Sequence, residues 1–259
     1  MLKTVAARLR DPPIVEVVCG FFFAPLAGLD PLVVGKYWAE NKEKDGYRER
    51  QLHPAVSDRP GLSVSDNVGP LRCWLIKETD DYVLQIQPDR FYFNWRKREG
   101  AYPHFTDRDG SEGVLTKSLR EFGQFVRFCA AEPTLKQTVK PLRFELAKVD
   151  LLVNPRHWKD YADLANVVPM LGKLPRITDE PTVNLSLVGQ RDGHQVQFGL
   201  TNVVLAEDMS PALKIETRVT AGASSDPKAT LASMNASAND VFFGTLSESE
   251  FHRFGGAIE

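Results

Sequence analysis

The chain has 259 residues, 42% of them hydrophobic and 25% charged, with a formal charge of -2 at pH 7. That length suits one large core or two small domains, and so small a charge supplies no global field toward nucleic acid or an anionic membrane. Cys19, Cys73 and Cys129 lie far apart in apolar runs, which reads as buried free thiols in a reducing cytoplasm rather than a disulfide framework or a C-x-x-C zinc site.

The start, Met1 to Arg10, is short and basic and lacks the apolar stretch of a secretory signal. The longest apolar run, Val17 to Leu29, is interrupted by Gly20, Pro25 and Gly28 and is too short to span a bilayer. A soluble, cytoplasmic protein is expected. Ile14 to Phe23 reads as a central strand. Asp30-Pro31 is an N-cap followed by a first-turn proline, opening a helix whose apolar stripe is Leu32, Val33, Tyr37 and Trp38. Glu40, Lys42, Glu43 and Lys44 read as its solvated end. Gly46 to Gly69 is polar and reads as a loop with one irregular strand near Tyr47 to Leu52. A strand at Pro70 to Lys77 and a turn at Thr79-Asp80-Asp81 follow.

Tyr82 to Arg96 is the densest patch of aromatic and β-branched residues, with a period of two. Val83, Gln85 and Gln87 fall on one face of its first arm, and Tyr92, Asn94 and Arg96 alternate with Phe91, Phe93 and Trp95 on its second. Pro88-Asp89 separates the arms as a turn. The pattern predicts a hairpin that buries Phe91, Phe93 and Trp95 and displays Gln, Asn and Arg. Val114 to Ala131 is an amphipathic helix stopped by Pro133.

The second part repeats this order. Val139 to Val153 reads as a strand broken at Pro141, and Asn154-Pro155 as the start of a short helix carrying Trp158, Tyr161 and Leu164. Strands follow at Thr182 to Gly189, Gln195 to Leu205 and Ala212 to Thr220, the first two joined by a hairpin at Arg191-Asp192-Gly193-His194. Asp226-Pro227 opens a final helix with Leu231, Met234, Ala238, Val241, Phe242 and Leu246 on its apolar side, and a short tail segment, Ser247 to Phe254, closes the chain. The expected fold is α+β: two β-α-β-β-β-α halves, 1–133 and 134–259, with antiparallel sheets backed by helices, either separate or joined in one curved sheet.

Gln87-Pro-Asp-Arg-Phe-Tyr-Phe-Asn-Trp-Arg-Lys97, followed by Tyr102-Pro103, resembles a sporadically distributed family of prokaryotic proteins of similar length with a QPDRF-x-x-NWRK signature. Pro13-Ile-Val-Glu16, Phe122 to Phe128 and Val241 to Leu246 fit that family's pattern, whereas Arg143-Phe-Glu-Leu-Ala-Lys148 departs from its Arg-Tyr-x-Asn-type strand. The resemblance brings no established activity and transfers no catalytic residues. Patchy distribution suits genes carried in defence or toxin–antitoxin contexts.

The residues themselves point away from catalysis. His53, His104, His157, His194 and His252 form no metal-binding pair, no nucleophile elbow is present, and neither phosphate-loop motif occurs. No catalytic residue, cofactor or metal ligand is assigned. The candidate site is a polar set for a partner: Gln85, Gln87, Asn94, Arg96, Lys97 and Arg98. The leading expectation is a non-catalytic binding protein that offers a polar, aromatic sheet face to a protein or peptide, as an antitoxin, immunity protein or defence accessory would. A second reading is RNA or single-stranded DNA binding through Arg96-Lys97-Arg98 beside Trp95 and Tyr92. A third is a small-molecule site lined by Trp38, Trp74, Trp95 and Trp158. No membrane partner is expected, and the sequence leaves the oligomeric state open.

Overall fold

The computed structural model describes residues 9–56, 71–135, 137–174 and 182–254. The basic lead-in at residues 1–8 therefore lies outside the described residues. β1 (Ile14–Phe22) is rich in β-branched and aromatic residues, which fit a buried pleated surface. Asp30 caps α1 (Pro31–Tyr37) by accepting the Leu32 and Val33 N–H groups, with Pro31 in the first turn. Val34 and Tyr37 face inward, while Leu32 is exposed, which corrects the expected Leu32/Val33 stripe. Past Tyr37 the helix widens into a π-helical turn, Trp38–Lys42, closed by the Glu43 N–H donating to Trp38 O at 2.9 Å. Lys42 thereby points inward and is fully buried, a correction to the solvated end expected there.

Four strands follow as an antiparallel meander: β2 (Tyr47–Pro54), β3 (Leu71–Lys77), β4 (Tyr82–Gln87) and β5 (Arg90–Arg96). The stretch expected to be a loop with an irregular strand is a full strand over Tyr47–Pro54, with a bulge between Tyr47 and Glu49. Residues 57–69 of that expected loop, and Pro70 of the strand expected after it, lie outside the described residues. α2 (Val114–Ala131) covers one face of this sheet region: Phe122 stacks on Phe21 at 4.2 Å between ring centroids, and Phe125 lies 5.3 Å from Phe91. Gly113 precedes it in a space without room for a side chain, since a Cβ there would stand 2.5 Å from Phe105 O.

β6 (Arg143–Val153) starts after Pro141 rather than at Val139. The helix expected from Asn154-Pro155 begins later, as α3 (Tyr161–Val167), because it is the Asp160 side chain that accepts the Asp163 N–H. β7 (Asn184–Arg191), β8 (His194–Val204) and β9 (Pro211–Gly222) form a second meander. Asp192 and Gly193 both have positive φ, the conformation of the tight hairpin turn expected there. α4 (Pro227–Thr245) is capped by Asp226, and α5 (Glu248–Arg253) by Ser247.

The nine strands make one antiparallel sheet in the order β2-β3-β4-β5-β1-β6-β9-β8-β7. Two compact units interleave along the sequence. Among the described residues, one comprises those within 17–146 and 221–232, and the other those within 9–16, 147–220 and 233–254. The core of the second unit gathers Leu152, Leu164, Phe198, Leu213, Ile215 and Phe242. No helix among the described residues is long and apolar enough to cross a membrane.

Candidate sheet-face site

Strand register decides which side chains share a face. Trp74 pairs with Gln85, Gln85 with Tyr92, Val83 with Asn94 and Gln87 with Arg90, while Gln51 and His53 pair with Trp74 and Arg72. One face therefore carries Arg72, Trp74, Gln85, Gln87, Arg90, Tyr92 and Asn94, and the face beneath α2 carries Phe91 and the other core aromatics. The alternation read from the sequence is the observed one. Its expected exposure is not: Gln85 is 8% accessible, and Gln87 and Asn94 are 4%. These three are enclosed rather than displayed.

Enclosure demands partners for the polar groups. The Gln87 amide behaves like a length of strand backbone, accepting from Val56 N–H at 3.0 Å and donating to Val56 O at 3.1 Å and Asp89 Oδ1 at 2.7 Å. Arg90 grips Asp89 through Nε at 3.0 Å and Nη2 at 2.9 Å. Burial tends to raise the Asp89 carboxyl, but the hydrogen bonds from Arg90 and Gln87 outweigh it and hold its pKa below the usual carboxylate range. Arg90 and Arg143 both lie over the Phe22 ring, at 4.5 and 3.9 Å. Gly20 makes room for this arrangement, since a Cβ there would stand 2.7 Å from the Tyr92 ring.

Three buried donors on this face have no acceptor among the described residues, Arg72 Nε, Trp74 Nε1 and, at the far end of β5, Arg96 Nε. Arg72 Nη1, by contrast, donates to Gln85 Oε1 at 2.9 Å. The Arg72 guanidinium lies over the Trp74 indole at 5.2 Å, and the His53 ring meets that indole at 4.2 Å. Burial lowers the Arg72 pKa. The aromatic stack thus encloses two N–H groups that have no acceptor among the described residues. In the sequence Arg72 reads as ordinary strand, and Trp74 stands out only as one of four tryptophans offered for a small-molecule site.

Arg96, Lys97 and Arg98 stand at the other end of β5. Arg96 and Arg98 both converge on Asp80, Arg98 Nε at 2.6 Å, so this cluster is partly neutralised. Of the six expected residues Gln85, Gln87 and Asn94 are buried on the polar face, and Arg96 shares that face but is only half-buried at the end of β5. The four tryptophans do not converge: Trp38 Nε1 donates to Tyr47 O at 2.6 Å, Trp95 packs in the core beside Tyr102, and Trp158 Nε1 donates to Leu152 O at 2.7 Å in the other unit.

Periodicity also concealed a second polar centre. Lys42 Nζ donates to Glu121 Oε2 at 2.5 Å, to Asp45 Oδ2 at 3.2 Å and to Gln124 Oε1, under the Tyr37 and Tyr47 rings. Burial drives the pKa values of both tyrosines well upward. An open cleft of about 540 Å³ beside it is lined by Glu40, Asn41, Lys44, Asp45, Gln124 and Arg127. None of the three cysteines forms a disulfide and all are buried, and burial pushes Cys73 to about 11 and Cys129 to about 12. Thiols so placed are inert as nucleophiles. Among the described residues no group of three or more His, Cys, Asp or Glu is placed to hold a metal ion. No family model matches the chain, and neither a curated protein nor a solved structure matches it.

Proposed function

We propose that this chain is a non-catalytic binding protein that receives a protein or peptide partner on the polar, aromatic face built by β3, β4 and β5. The observation that carries the reading is the adjacent pair of buried donors that have no acceptor among the described residues, Arg72 Nε and Trp74 Nε1. A buried N–H left unpaired costs about 1–3 kcal/mol, and an incoming carbonyl oxygen removes that cost on binding. An extended peptide supplies such oxygens at regular intervals. Gln87 already treats the Val56 backbone in this way. The enclosed Gln85, Gln87 and Asn94 hold the platform in shape, and Arg72 with Trp74 makes the contact.

The rest of the reading belongs to the same proposal. The two strand–helix–meander–helix stretches, the first with four strands between its helices and the second with three, are read as products of an internal duplication, and the QPDRF-x-x-NWRK family provides the setting: a cytoplasmic antitoxin, immunity or defence-accessory role. The convergence of Arg96 and Arg98 on Asp80 weighs against nucleic acid as the main ligand.

Capture from host extract at low and high salt tests this, with Trp74→Phe and Arg72→Ala run beside the wild type. Trp74→Phe keeps the aromatic body and removes the donor. A stoichiometric protein held at both salt levels, and bound about tenfold more weakly by each variant, is expected. Recovery of no such protein, or a partner indifferent to both substitutions, overturns the reading.

A further inference from the structure

The two outer edges of the sheet are built differently. β2 carries Arg48, Glu49 and Arg50, a bulge at its start and Pro54 at its end. Charge, bulge and proline are the devices by which edge strands resist pairing with another chain. β7 at the opposite edge, Asn184-Leu-Ser-Leu-Val-Gly-Gln-Arg191, has none of them along residues 184–190. Its register against β8 runs without a break, and its single charge, Arg191, is engaged by Asp240 at 2.8 Å. Leu187 and Val188 on this strand are 49% and 64% exposed.

The hydrogen-bonding sense of β7 follows from two observations. Asn202 N–H donates to Val183 O, and a two-residue turn closes on the Arg191–His194 pair. In an antiparallel ladder bonded and non-bonded pairs alternate, so odd-numbered residues of β7 spend their backbone groups on β8. Asn184, Ser186, Val188 and Gln190 therefore direct N–H and C=O outward, and among the described residues no strand takes them.

We infer that this edge pairs with the same edge of a second copy of the chain, antiparallel about a two-fold axis at Leu187. That register sets Leu187 against Leu187, Val188 against Ser186, Gln190 against Asn184 and Gly189 against Leu185. It is the one symmetric register that uses all four outward-directed residues, giving about eight backbone hydrogen bonds from four bonded pairs. Centring on Ser186 or Val188 pushes one of those residues past the strand end or into the hairpin turn. The chosen register opposes no like charges, joins two amide side chains, and covers the two exposed aliphatics. Leu187 sits at a non-bonded pair, where facing side chains approach most closely. The surface is separate from the β3–β5 face proposed for a partner.

The purified full-length chain is examined by sedimentation equilibrium over a concentration series, as wild type, Leu187→Lys, Leu187→Glu and an equimolar mixture of the two variants. The wild type is expected to reach the dimer mass. Each single variant places like charges in contact across the axis and is expected to weaken association by more than about tenfold, and mixing the two variants is expected to restore it. Unchanged thermal melting of each variant shows that the fold is retained. A wild type that stays monomeric throughout, variants that still dimerise alone, or a mixture that fails to associate would each overturn the inference.

Discussion

Lys42 Nζ and Glu121 Oε2 face each other at 2.5 Å, the lysine side chain wholly screened from solvent and the glutamate nearly so. Removing one member of a buried pair strands the other charge, at a cost of about 3–5 kcal/mol, whereas replacing both with apolar groups of similar size is often neutral. Lys42→Met and Glu121→Leu are each expected to lower stability by about that amount, and the double variant by much less than their sum. Urea unfolding of the four proteins measures this, and simple additivity would refute the coupling.

Trp95 is buried in the core of its unit, its ring centroid 5.1 Å from that of Tyr102. Trp95→Ala is expected to cost about 3–5 kcal/mol through the cavity it leaves. An unchanged melting temperature would contradict that placement.

Asp150 on β6 is buried, and burial raises its carboxyl from 3.8 to about 7, with Lys148 pulling the other way. The folded chain therefore keeps a proton that the unfolded chain releases. This group's stabilisation is complete below about pH 4 and is lost as pH climbs to about 7, the opposite sense to Asp89, whose lowered pKa makes its contribution fade as pH falls. Asp150→Asn is expected to flatten the decline in melting temperature between these limits. The same slope in wild type and variant would show that another group titrates there.

Asp80 occupies a left-handed turn position with φ 54° and draws in Arg96 and Arg98. Asparagine tolerates that backbone, and exposed ion pairs contribute little, so Asp80→Asn should cost under about 1 kcal/mol. Two arginines are released by the change. Later elution from a heparin column is expected, and unmoved elution would mean that Asp80 does not mask them.

Local alternation carries information about faces, and in β4 and β5 it placed Gln85, Gln87 and Asn94 on one side correctly. It carries none about what lies over a face, because a strand buried on both sides can keep polar residues provided each finds a partner. Gln87 finds Val56, thirty-one residues earlier, and no short window reveals that. Lys42 escaped for a different reason. At about 100° per residue an α-helix swings it away from Tyr37, but a turn closed over five residues brings it round to the buried side. β2 was hard to see because its charged residues dilute the strand signal. The capping residues Asp30 and Asp226, by contrast, act within four residues of themselves and were legible directly.

The charged, bulged and proline-ended β2 edge also bears on how far assembly proceeds. A sheet with two receptive edges is a polymer in waiting, since each addition leaves a fresh end. Here one edge is refractory, so joining through β7 consumes the reactive end of both molecules and leaves only inert termini. Growth is limited to a single step. The same sheet that can extend by doubling is thereby kept from becoming a fibre.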